Sequence, residues 1–329
     1  MTTTPSFGLF TDLRNPEPWK QPWPAFLRES VELIERAERL GAGAVWVTEH
    51  HLFPDGHLSQ PLAWLSALAA RTSTIRLGTG ILVAPLRHPR HVAEQAALVD
   101  ALSGGRLELG LGPGYAAPEF AAFGADVETR FAETEAALRA IRELWRSGRI
   151  GPEPVQVDPP LWLGYQGPRN ARRAGRLGAG LLTLNRGSLE PYLGGLAEGG
   201  FPATDARMGG TVDLVVARDP ERAWDRIKPH YQHQLDTYAR AHGGAAGADV
   251  VVGSRLASER SPTVSVRLSV VDVDEAVAIV AHRIAGLPVR HVYTWARIAG
   301  MPLDMVDEHV ELWLTEVAPR VRKLLGDAR

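Results

Sequence analysis

The sequence predicts a single (β/α)₈ TIM barrel, which we expect to span residues 1–329 as one domain. Short apolar runs alternate along the chain with amphipathic stretches of helical spacing, which is the pattern of βα units. Prolines such as Pro24 and Pro61 fall near predicted helix starts, where a missing N–H costs nothing, and Gly41 falls where a helix should end. Eight alternating units in 329 residues favour a closed parallel barrel over an open sheet.

The first half of the chain contains four of these units. The predicted pairs are strand 6–13 with helix 25–40, strand 44–49 with helix 60–71, strand 75–84 with helix 90–102, and strand 107–112, after a long loop, with helix 130–147. A Pro-rich connection over 151–160 is the best candidate for a domain break. Neither of its flanks would hold a complete barrel, so we expect no boundary there.

The second half continues the alternation less regularly. The predicted strands are 160–165, 181–185, 211–217 and 291–296, and the predicted helices are 168–177, 220–242, 273–285 and 303–325. Residues after 242 are rich in Gly, Ala and Ser. They predict an insertion loop over 243–270, before the last βα unit.

Composition excludes several classes of function. The formal net charge is −2 and 22% of residues are charged, so the chain lacks the basic excess of proteins that bind nucleic acid or anionic membranes. Cysteine is absent, which excludes disulfides, thiolate catalysis and cysteine-bound metal. There is no signal-peptide pattern and no long apolar run, and we expect a soluble cytoplasmic protein that acts on small molecules.

A cluster of titratable residues ends the second predicted strand. Glu49-His50-His51 would lie at the mouth of a barrel, where loops after the strands carry functional groups. A carboxylate beside an imidazole can set its tautomer and support proton exchange near neutral pH. A histidine at a strand end can also be purely structural, but two adjacent histidines after a glutamate favour acid/base chemistry.

Glycine-rich segments follow the next two strands. Glycines in Gly78-Thr79-Gly80-Ile81 would let a flat ring approach the backbone, or would only relieve crowding inside the barrel. The run 110–115 is G-x-G-x-G interrupted by proline, which does not fit the dinucleotide fingerprint and favours a pocket-lining loop. His88 and His91 have no third ligand at suitable spacing, so we expect no metal site.

The segment 164–170 is a candidate phosphate site. Gly167 permits close backbone approach, Pro168 can begin a helix whose free N–H groups point at an anion, and Arg169 adds positive charge. A solvated basic helix face is the competing interpretation.

Several motifs together resemble the bacterial-luciferase-like flavin-dependent monooxygenases. They are WVTEHH (46–51), the run from GTGILVAPLRHPRH to LELGLGPGY (78–115), PEFAAFG (118–124), PLWLGYQGPRNARRAGRLGAG (160–180) and GMPLDMVDEHVELWLTEVAPRV (300–321). The resemblance covers nearly the whole chain, whereas 243–270 matches little.

The resemblance implies a cofactor and its binding residues. Reduced FMN, or deazaflavin F420 in a sister branch, would lie at the carboxyl-terminal face of the barrel beside His50, the family's catalytic histidine. Gly80-Ile81 matches a non-prolyl cis peptide beneath the flavin ring. The residues expected to contact the cofactor are Thr79, Gly80, Ile81, Gly114, Tyr115, Tyr165, Gln166, Gly167 and Arg169.

The resemblance also implies a reaction. A separate flavin reductase would supply reduced FMN, O₂ would form a C4a-peroxyflavin, and a small organic substrate would be oxidised, with His50 as acid/base and Glu49 orienting it. Candidates for the substrate pocket are Phe10, Trp19, His51, Phe53 and Trp295. A homodimer that pairs through helices near the second and third strands is expected from the family.

The sequence leaves two alternatives open. One is an F420-dependent dehydrogenase or reductase, and the other is a flavin-binding protein without turnover. Luciferases proper have an arginine where this chain has Pro113, and many F420-dependent members have a glutamate in that region. The sequence shows neither at this position, which argues against light emission and weakens the F420 alternative.

Overall fold

The computed structural model describes residues 4–241, 255–256 and 268–327. In chain order the strands are β1 (Ser6–Thr11), β2 (Ala44–Val47), β3 (Arg76–Thr79), β4 (Leu82–Val83), β5 (Leu107–Gly112), β6 (Leu161–Leu163), β7 (Gly180–Leu182), β8 (Met208–Thr211), β9 (Leu214–Val216), β10 (Ser269–Val271) and β11 (Val289–Trp295).

The α-helices lie between and after these strands. In chain order they are α1 (Trp23–Arg39), α2 (Pro61–Arg71), α3 (Pro89–Ser103), α4 (Ala117–Phe123), α5 (Arg130–Arg146), α6 (Pro168–Arg176), α7 (Leu189–Glu198), α8 (Pro220–Ala241), α9 (Val273–Ile284), α10 (Leu303–Leu312) and α11 (Ala318–Asp327). In the described residues, no helix has the length and apolar character needed to cross a membrane.

Parallel pairing closes the sheet into a barrel. The order around it is β1, β2, β3 with β4, β5, β6, β7, β8 and β11, and β11 pairs back to β1. These are eight strand positions with helices on the outside, so the predicted (β/α)₈ TIM barrel is confirmed. The carboxyl ends of all eight strands meet at one mouth, which collects the loops that follow them.

Two tryptophans fill the interior of the barrel. Trp46 and Trp162 are at most 1% exposed, and their rings meet edge to face at 5.8 Å. A Cβ at Gly78 would lie 2.4 Å from Trp46, and one at Gly180 would lie 2.3 Å from Trp162. These glycines therefore make room for the indoles, which divide the two mouths of the barrel.

The predicted third strand, 75–84, is divided in two. Residues Gly80 and Ile81 separate β3 from β4, and the peptide bond between them is cis, as the family resemblance implies. A Cβ at Gly80 would lie 3.2 Å from the ring of Phe10. Gly78 and Gly80 thus both relieve crowding, Gly78 against Trp46 inside the barrel and Gly80 against Phe10.

The predicted seventh strand, 211–217, is wrong in its bounds. The barrel strand is β8, which ends at Thr211, while β9 leaves the barrel and pairs in parallel with β10 as a separate two-stranded sheet. Strand β10 also contradicts the end of the predicted insertion loop, since Ser269 and Val270 are extended. Of that loop, 243–254 and 257–267 lie outside the described residues.

Two helices were not predicted. Helix α4 begins at Ala117, so the long loop expected before residue 130 is wrong, and α7 follows β7 directly after a short 3₁₀ turn. The closing helix predicted over 303–325 is interrupted by a π-helical turn, Trp313–Val317, between α10 and α11. Trp313 is fully buried there and its indole donates to the Gly8 carbonyl oxygen at 3.0 Å, which anchors this turn to β1.

Candidate active site

A cavity of about 550 Å³ opens at the carboxyl-terminal mouth of the barrel. Its walls come from the strand ends and the loops after them. The lining residues are Phe10, Thr48, Glu49, His50, Gly80, Ile81, Val83, Pro113, Gly114, Tyr115, Glu119, Arg130, Phe131, Gly164, Gln166, Asn170, Tyr238 and Trp295. Nine predicted site residues are among them, from six different segments of the chain.

His50 has a different partner on each ring nitrogen. Nδ1 donates to Oε1 of Glu119 at 2.9 Å, and Nε2 lies 3.1 Å from the hydroxyl of Tyr115. Burial and the nearby charge of Glu119 raise the pKa of Tyr115, so its hydroxyl keeps its proton and can donate to Nε2. The geometry therefore favours the His50 tautomer protonated on Nδ1, with Nε2 facing the cavity.

Glu119 is the residue that orients His50, and the predicted orientation by Glu49 is wrong. The same oxygen of Glu119 accepts the backbone N–H of His51 at 2.8 Å. Helix α4 begins two residues before Glu119 and places this carboxylate beside the residues that follow β2. Glu119 is 2% exposed there. Its other oxygen is buried without a hydrogen-bond partner among the described residues.

Glu49 belongs to a neighbouring network. Its carboxylate accepts from Nε2 of His51 at 2.8 Å, from the guanidinium of Arg87, and from the backbone N–H of Val83 at 2.9 Å. These contacts join the end of β2 to β4 and to the loop after it. Glu49 thus holds the backbone around the cis peptide in place, although its carboxylate also reaches the cavity wall.

Behind His50 lies a buried layer of aromatic and charged groups. The His57 ring meets His50 edge to face at 4.8 Å, and burial together with the charges of His50 and Arg14 lowers the pKa of His57 well below its usual value. Arg14 is ion-paired with Asp55 at 2.7 Å and lies over the ring of Tyr238. His57 is therefore neutral at pH 7 and places no positive charge beside His50.

The opposite wall of the cavity is apolar. The ring of Phe10 packs on Trp295 at 4.6 Å, and the Trp295 indole donates to Asp213 at 3.0 Å, which fixes its orientation. Ile81, next to the cis bond, fills the space beside Gly112 and Gly164, where an added Cβ would lie within 2.5 Å of its side chain. This wall can exclude water from a bound ring.

The phosphate-site prediction corresponds to the start of α6. Gly167 precedes the helix with φ of 80° and ψ of 161°, a conformation nearly restricted to glycine, and a Cβ there would meet nothing within 4 Å. The first N–H groups of α6 are free of helical partners, and Arg169 and Asn170 lie in its first turn. Arg130, the first residue of α5, also lines the cavity.

Residues 6–263 match the model of a protein family described as luciferase-like monooxygenase. The chain belongs to the luciferase-like monooxygenase family. Its members include both flavin monooxygenases and F420-dependent dehydrogenases, as the following relatives illustrate.

An F420-dependent glucose-6-phosphate dehydrogenase of Amycolatopsis mediterranei (strain U-32) is 31% identical over 229 residues, which cover 61% of this chain and 69% of the relative. The oxygenase component of a flavin-dependent trigonelline monooxygenase of Acinetobacter baylyi is 32% identical over 158 residues, 43% of this chain and 44% of that relative. Among solved structures, monooxygenase RslO1 of Streptomyces bottropensis superimposes with a TM-score of 0.78 at 23% identity, covering 95% of this chain and 99% of the other, and supports the fold.

Some residues predicted for the site do not line the cavity of about 550 Å³. Thr79 is fully buried and its hydroxyl donates to the Gly110 carbonyl oxygen at 2.7 Å, which ties β3 to β5. Tyr165 is 1% exposed and packs against Phe131 at 5.4 Å, behind the wall. Gly167 and Arg169 do not line the cavity itself, although they follow Gln166, which does.

Three residues predicted for the substrate pocket also lie elsewhere. Trp19 packs against the ring of His230 at 3.9 Å and does not line the cavity. His51 and Phe53 line a smaller cavity of about 280 Å³ that adjoins the site across Glu119. Phe53 still supports the main site, because its ring packs on His50 at 4.7 Å.

Glu119 and Tyr238 are site residues that the sequence did not reveal. Glu119 is 69 residues from His50 and Tyr238 is 188 residues from it, so only the tertiary fold brings them together. The motif PEFAAFG contains Glu119 and falls in the seven-residue helix α4. A helix predicted there would have drawn attention to Glu119 near its start. Although position 113 holds neither arginine nor glutamate, Glu119 brings a carboxylate from the segment after β5 into the site.

Proposed function

We propose that this protein is a flavin-dependent monooxygenase that uses reduced FMN and O₂ to oxidise a small organic substrate. The observation that carries the proposal is the position of Nε2 of His50, which faces an apolar, aromatic-walled cavity and is held by Glu119 from behind. A proton-handling group beside a wall that excludes water is what oxygen activation by a flavin requires.

The residues present fit FMN. The cavity of about 550 Å³ lies within the usual size range of cofactor pockets. Gly80 and Ile81 line the cavity beside Phe10. The open space at Gly167 lets a phosphate approach the backbone N–H groups at the start of α6. Arg169 and Arg130 add positive charge near this turn, which suits a phosphate dianion. When bound, reduced FMN supplies two electrons and activates O₂.

The side chains have separate tasks in this proposal. Nε2 of His50 accepts or returns a proton in the cavity, and Tyr115 donates its hydroxyl hydrogen to Nε2 when no substrate occupies it. Glu119 holds the ring orientation through Nδ1. Phe10 and Trp295 exclude water and contact the apolar part of the substrate.

An F420-dependent dehydrogenase is the second candidate, and the named relative from Amycolatopsis gives it weight. Glu119 also supports it, because a buried carboxylate beside His50 suits hydride-transfer chemistry in which one proton moves. The cavity lining argues against a sugar phosphate as substrate. Arg130 is the one arginine or lysine among the described lining residues, and the phosphate of a cofactor would engage it. We therefore favour an apolar substrate and FMN.

Two measurements on the purified protein test the choice. Anaerobic titration with reduced FMN and with reduced F420 should give tighter binding of FMN. The protein should also change the rate of oxygen uptake relative to free reduced FMN, which reacts with O₂ unaided. Tight F420 binding with no effect on oxygen uptake would reject the monooxygenase in favour of the dehydrogenase.

The role of His50 is tested by His50→Gln. We expect product formation to fall at least about hundredfold while FMN affinity stays within twofold, because a positioned acid/base contributes that much. The exposed His88→Gln variant is the control and should keep full activity. Equal activity in both variants would contradict the assignment and favour a flavin-binding protein without turnover.

The proposal includes two partners. A separate flavin reductase would supply reduced FMN, as the name "oxygenase component" indicates for the trigonelline relative. A second copy of this chain would pair through α2 and α3. Helix α3 supports this pairing, because Leu98 and Leu102 are one turn apart and 46% and 50% exposed.

A further inference from the structure

A second large cavity lies at the opposite mouth of the barrel, where the strands begin. Its volume is about 540 Å³, and its walls include Ser6 and Arg76, the first residues of β1 and β3. Trp46 and Trp162 fill the barrel between this cavity and the candidate active site. A ligand bound here cannot reach His50.

The lining of this cavity is strongly cationic. Five arginines and three carboxylates line it, an excess of two positive charges in a chain whose formal net charge is −2. Arg76 is paired with Glu108, and Arg146 with Asp158 at 3.3 Å. The three arginines that remain, Arg142, Arg207 and Arg290, form no ion pair with a carboxylate among the described residues.

These three guanidinium groups are not neutralised by direct pairing, and two of them are held in place by backbone oxygens. Arg142 donates to the Leu177 carbonyl oxygen at 2.9 Å, and Arg207 donates to the Leu161 carbonyl oxygen at 3.2 Å while it lies over the Trp162 ring. Nε of Arg207 is buried without a hydrogen-bond partner in the described chain. Burial lowers the pKa of Arg142 even though the carboxylate of Asp158 nearby acts against it, and the positive charges of Arg146 and Arg207 lower it further.

Unpaired, partly desolvated cations destabilise a fold, so their presence here favours a role in binding an anion. We propose that this cavity binds a small molecule with adjacent phosphate groups, at a site separate from the catalytic one. The planar fork of arginine matches phosphate oxygens in a bidentate way, and three such forks exceed what one phosphate can engage. The volume of about 540 Å³ also accommodates more than a single phosphate.

Titration calorimetry at low salt with pyrophosphate tests this site. Arg142→Gln and Arg290→Gln should each weaken binding about tenfold, the usual effect of losing a hydrogen bond to a charged group. Two further variants also remove one positive charge. Arg149→Gln alters an exposed arginine that pairs with Glu143 at 3.4 Å, and this matched control should bind pyrophosphate as the wild type does. Arg169→Gln alters the proposed cofactor-phosphate turn and reports any pyrophosphate that binds there instead.

A parallel titration with adenosine diphosphate distinguishes the sources of the phosphate groups. Tighter binding than pyrophosphate, with the same dependence on Arg142 and Arg290, indicates a nucleotide, and equal binding indicates an inorganic polyphosphate. The proposal is overturned by absence of binding at millimolar pyrophosphate, by equal weakening in Arg149→Gln, or by weakening confined to Arg169→Gln.

Discussion

The two ring nitrogens of His50 have different surroundings, and this difference defines the chemistry of the residue. Nδ1 is committed to Glu119, whereas Nε2 is available to Tyr115 or to a substrate. The sequence located His50 correctly at a strand end because strand ends collect functional groups in parallel barrels. It assigned the wrong carboxylate, because Glu49 bonds to His51 and not to His50, its neighbour in the chain.

Replacement of Glu119 by glutamine tests the positioning role. The glutamine side chain would still accept from His50 and from the backbone N–H of His51, so the fold should persist, but the charged hydrogen bond is lost. We expect kcat to fall roughly tenfold to hundredfold with KM nearly unchanged. Steady-state kinetics beside the exposed-site variant Glu133→Gln measures this, and wild-type kcat in Glu119→Gln would contradict the role.

At the scale of elements, the start of α6 forms the proposed phosphate site, and His309 near the end of α10 bonds to β9. Helix α6 offers free N–H groups beside Gly167, and both were predictable from the sequence order glycine, proline, arginine. The bond that α10 makes through His309 was not predictable. It depends on β9 leaving the barrel, and an apolar run such as 211–217 does not show in which sheet its strand lies.

Gly167→Ala should weaken FMN binding about tenfold, because alanine at this positive φ costs roughly 1–3 kcal/mol or moves the turn away from the phosphate. Fluorescence titration with FMN measures the loss. Gly124→Ala is the matched control, since Gly124 also has positive φ, at 66°, with open space around it, and it ends α4 away from the phosphate turn. An equal loss of FMN affinity in both variants would show a general effect on folding.

His309 should make the protein sensitive to acid. It is fully buried, its Nδ1 accepts the Val216 N–H at 2.9 Å, and its Nε2 donates to the Trp295 carbonyl oxygen at 2.9 Å. Burial lowers the pKa of His309 to about 4. The unfolded chain therefore takes up a proton near pH 6.5 that the folded chain refuses until about pH 4.

Above pH 6.5 the neutral His309 does not reduce the free energy of unfolding. As the pH falls from 6.5 toward 4, the free energy of unfolding decreases by about 3 kcal/mol. Denaturant titrations at pH 7, 5 and 4 measure this loss. His309→Gln should be less stable at pH 7 but should lose less on acidification. A His309→Gln protein with the same pH dependence as the wild type would show that other groups cause the acid sensitivity.

At the scale of the whole molecule, the eight-unit count was enough to predict the closed barrel, because local alternation specifies it. The two cavities could not be predicted, since their walls combine residues from both halves of the chain. Trp46 and Trp162 separate these cavities, and the accommodating glycines of neighbouring strands are visible only in the folded barrel.

The proposed dimer gives a whole-molecule prediction. Leu98→Glu should convert the dimer to a monomer, because it places a charge beside the exposed Leu102 in the proposed interface on α3. Light scattering after size-exclusion chromatography reads the mass directly. Leu324→Glu, on α11 with 49% exposure, is the control and should leave the mass unchanged. A wild-type protein that elutes as a monomer would remove this part of the proposal.

The pairing of β9 with β10 has an evolutionary consequence. In the described residues these two strands form ladder pairs with each other and not with the barrel strands, and α8 between them supplies Tyr238 to the cavity wall. Recombination between related genes can therefore exchange the segment from β9 to β10 as a unit and leave the strand pairing of the barrel unchanged. Lineages built on this plan can acquire a new wall for the cavity while they inherit His50 and Glu119 intact.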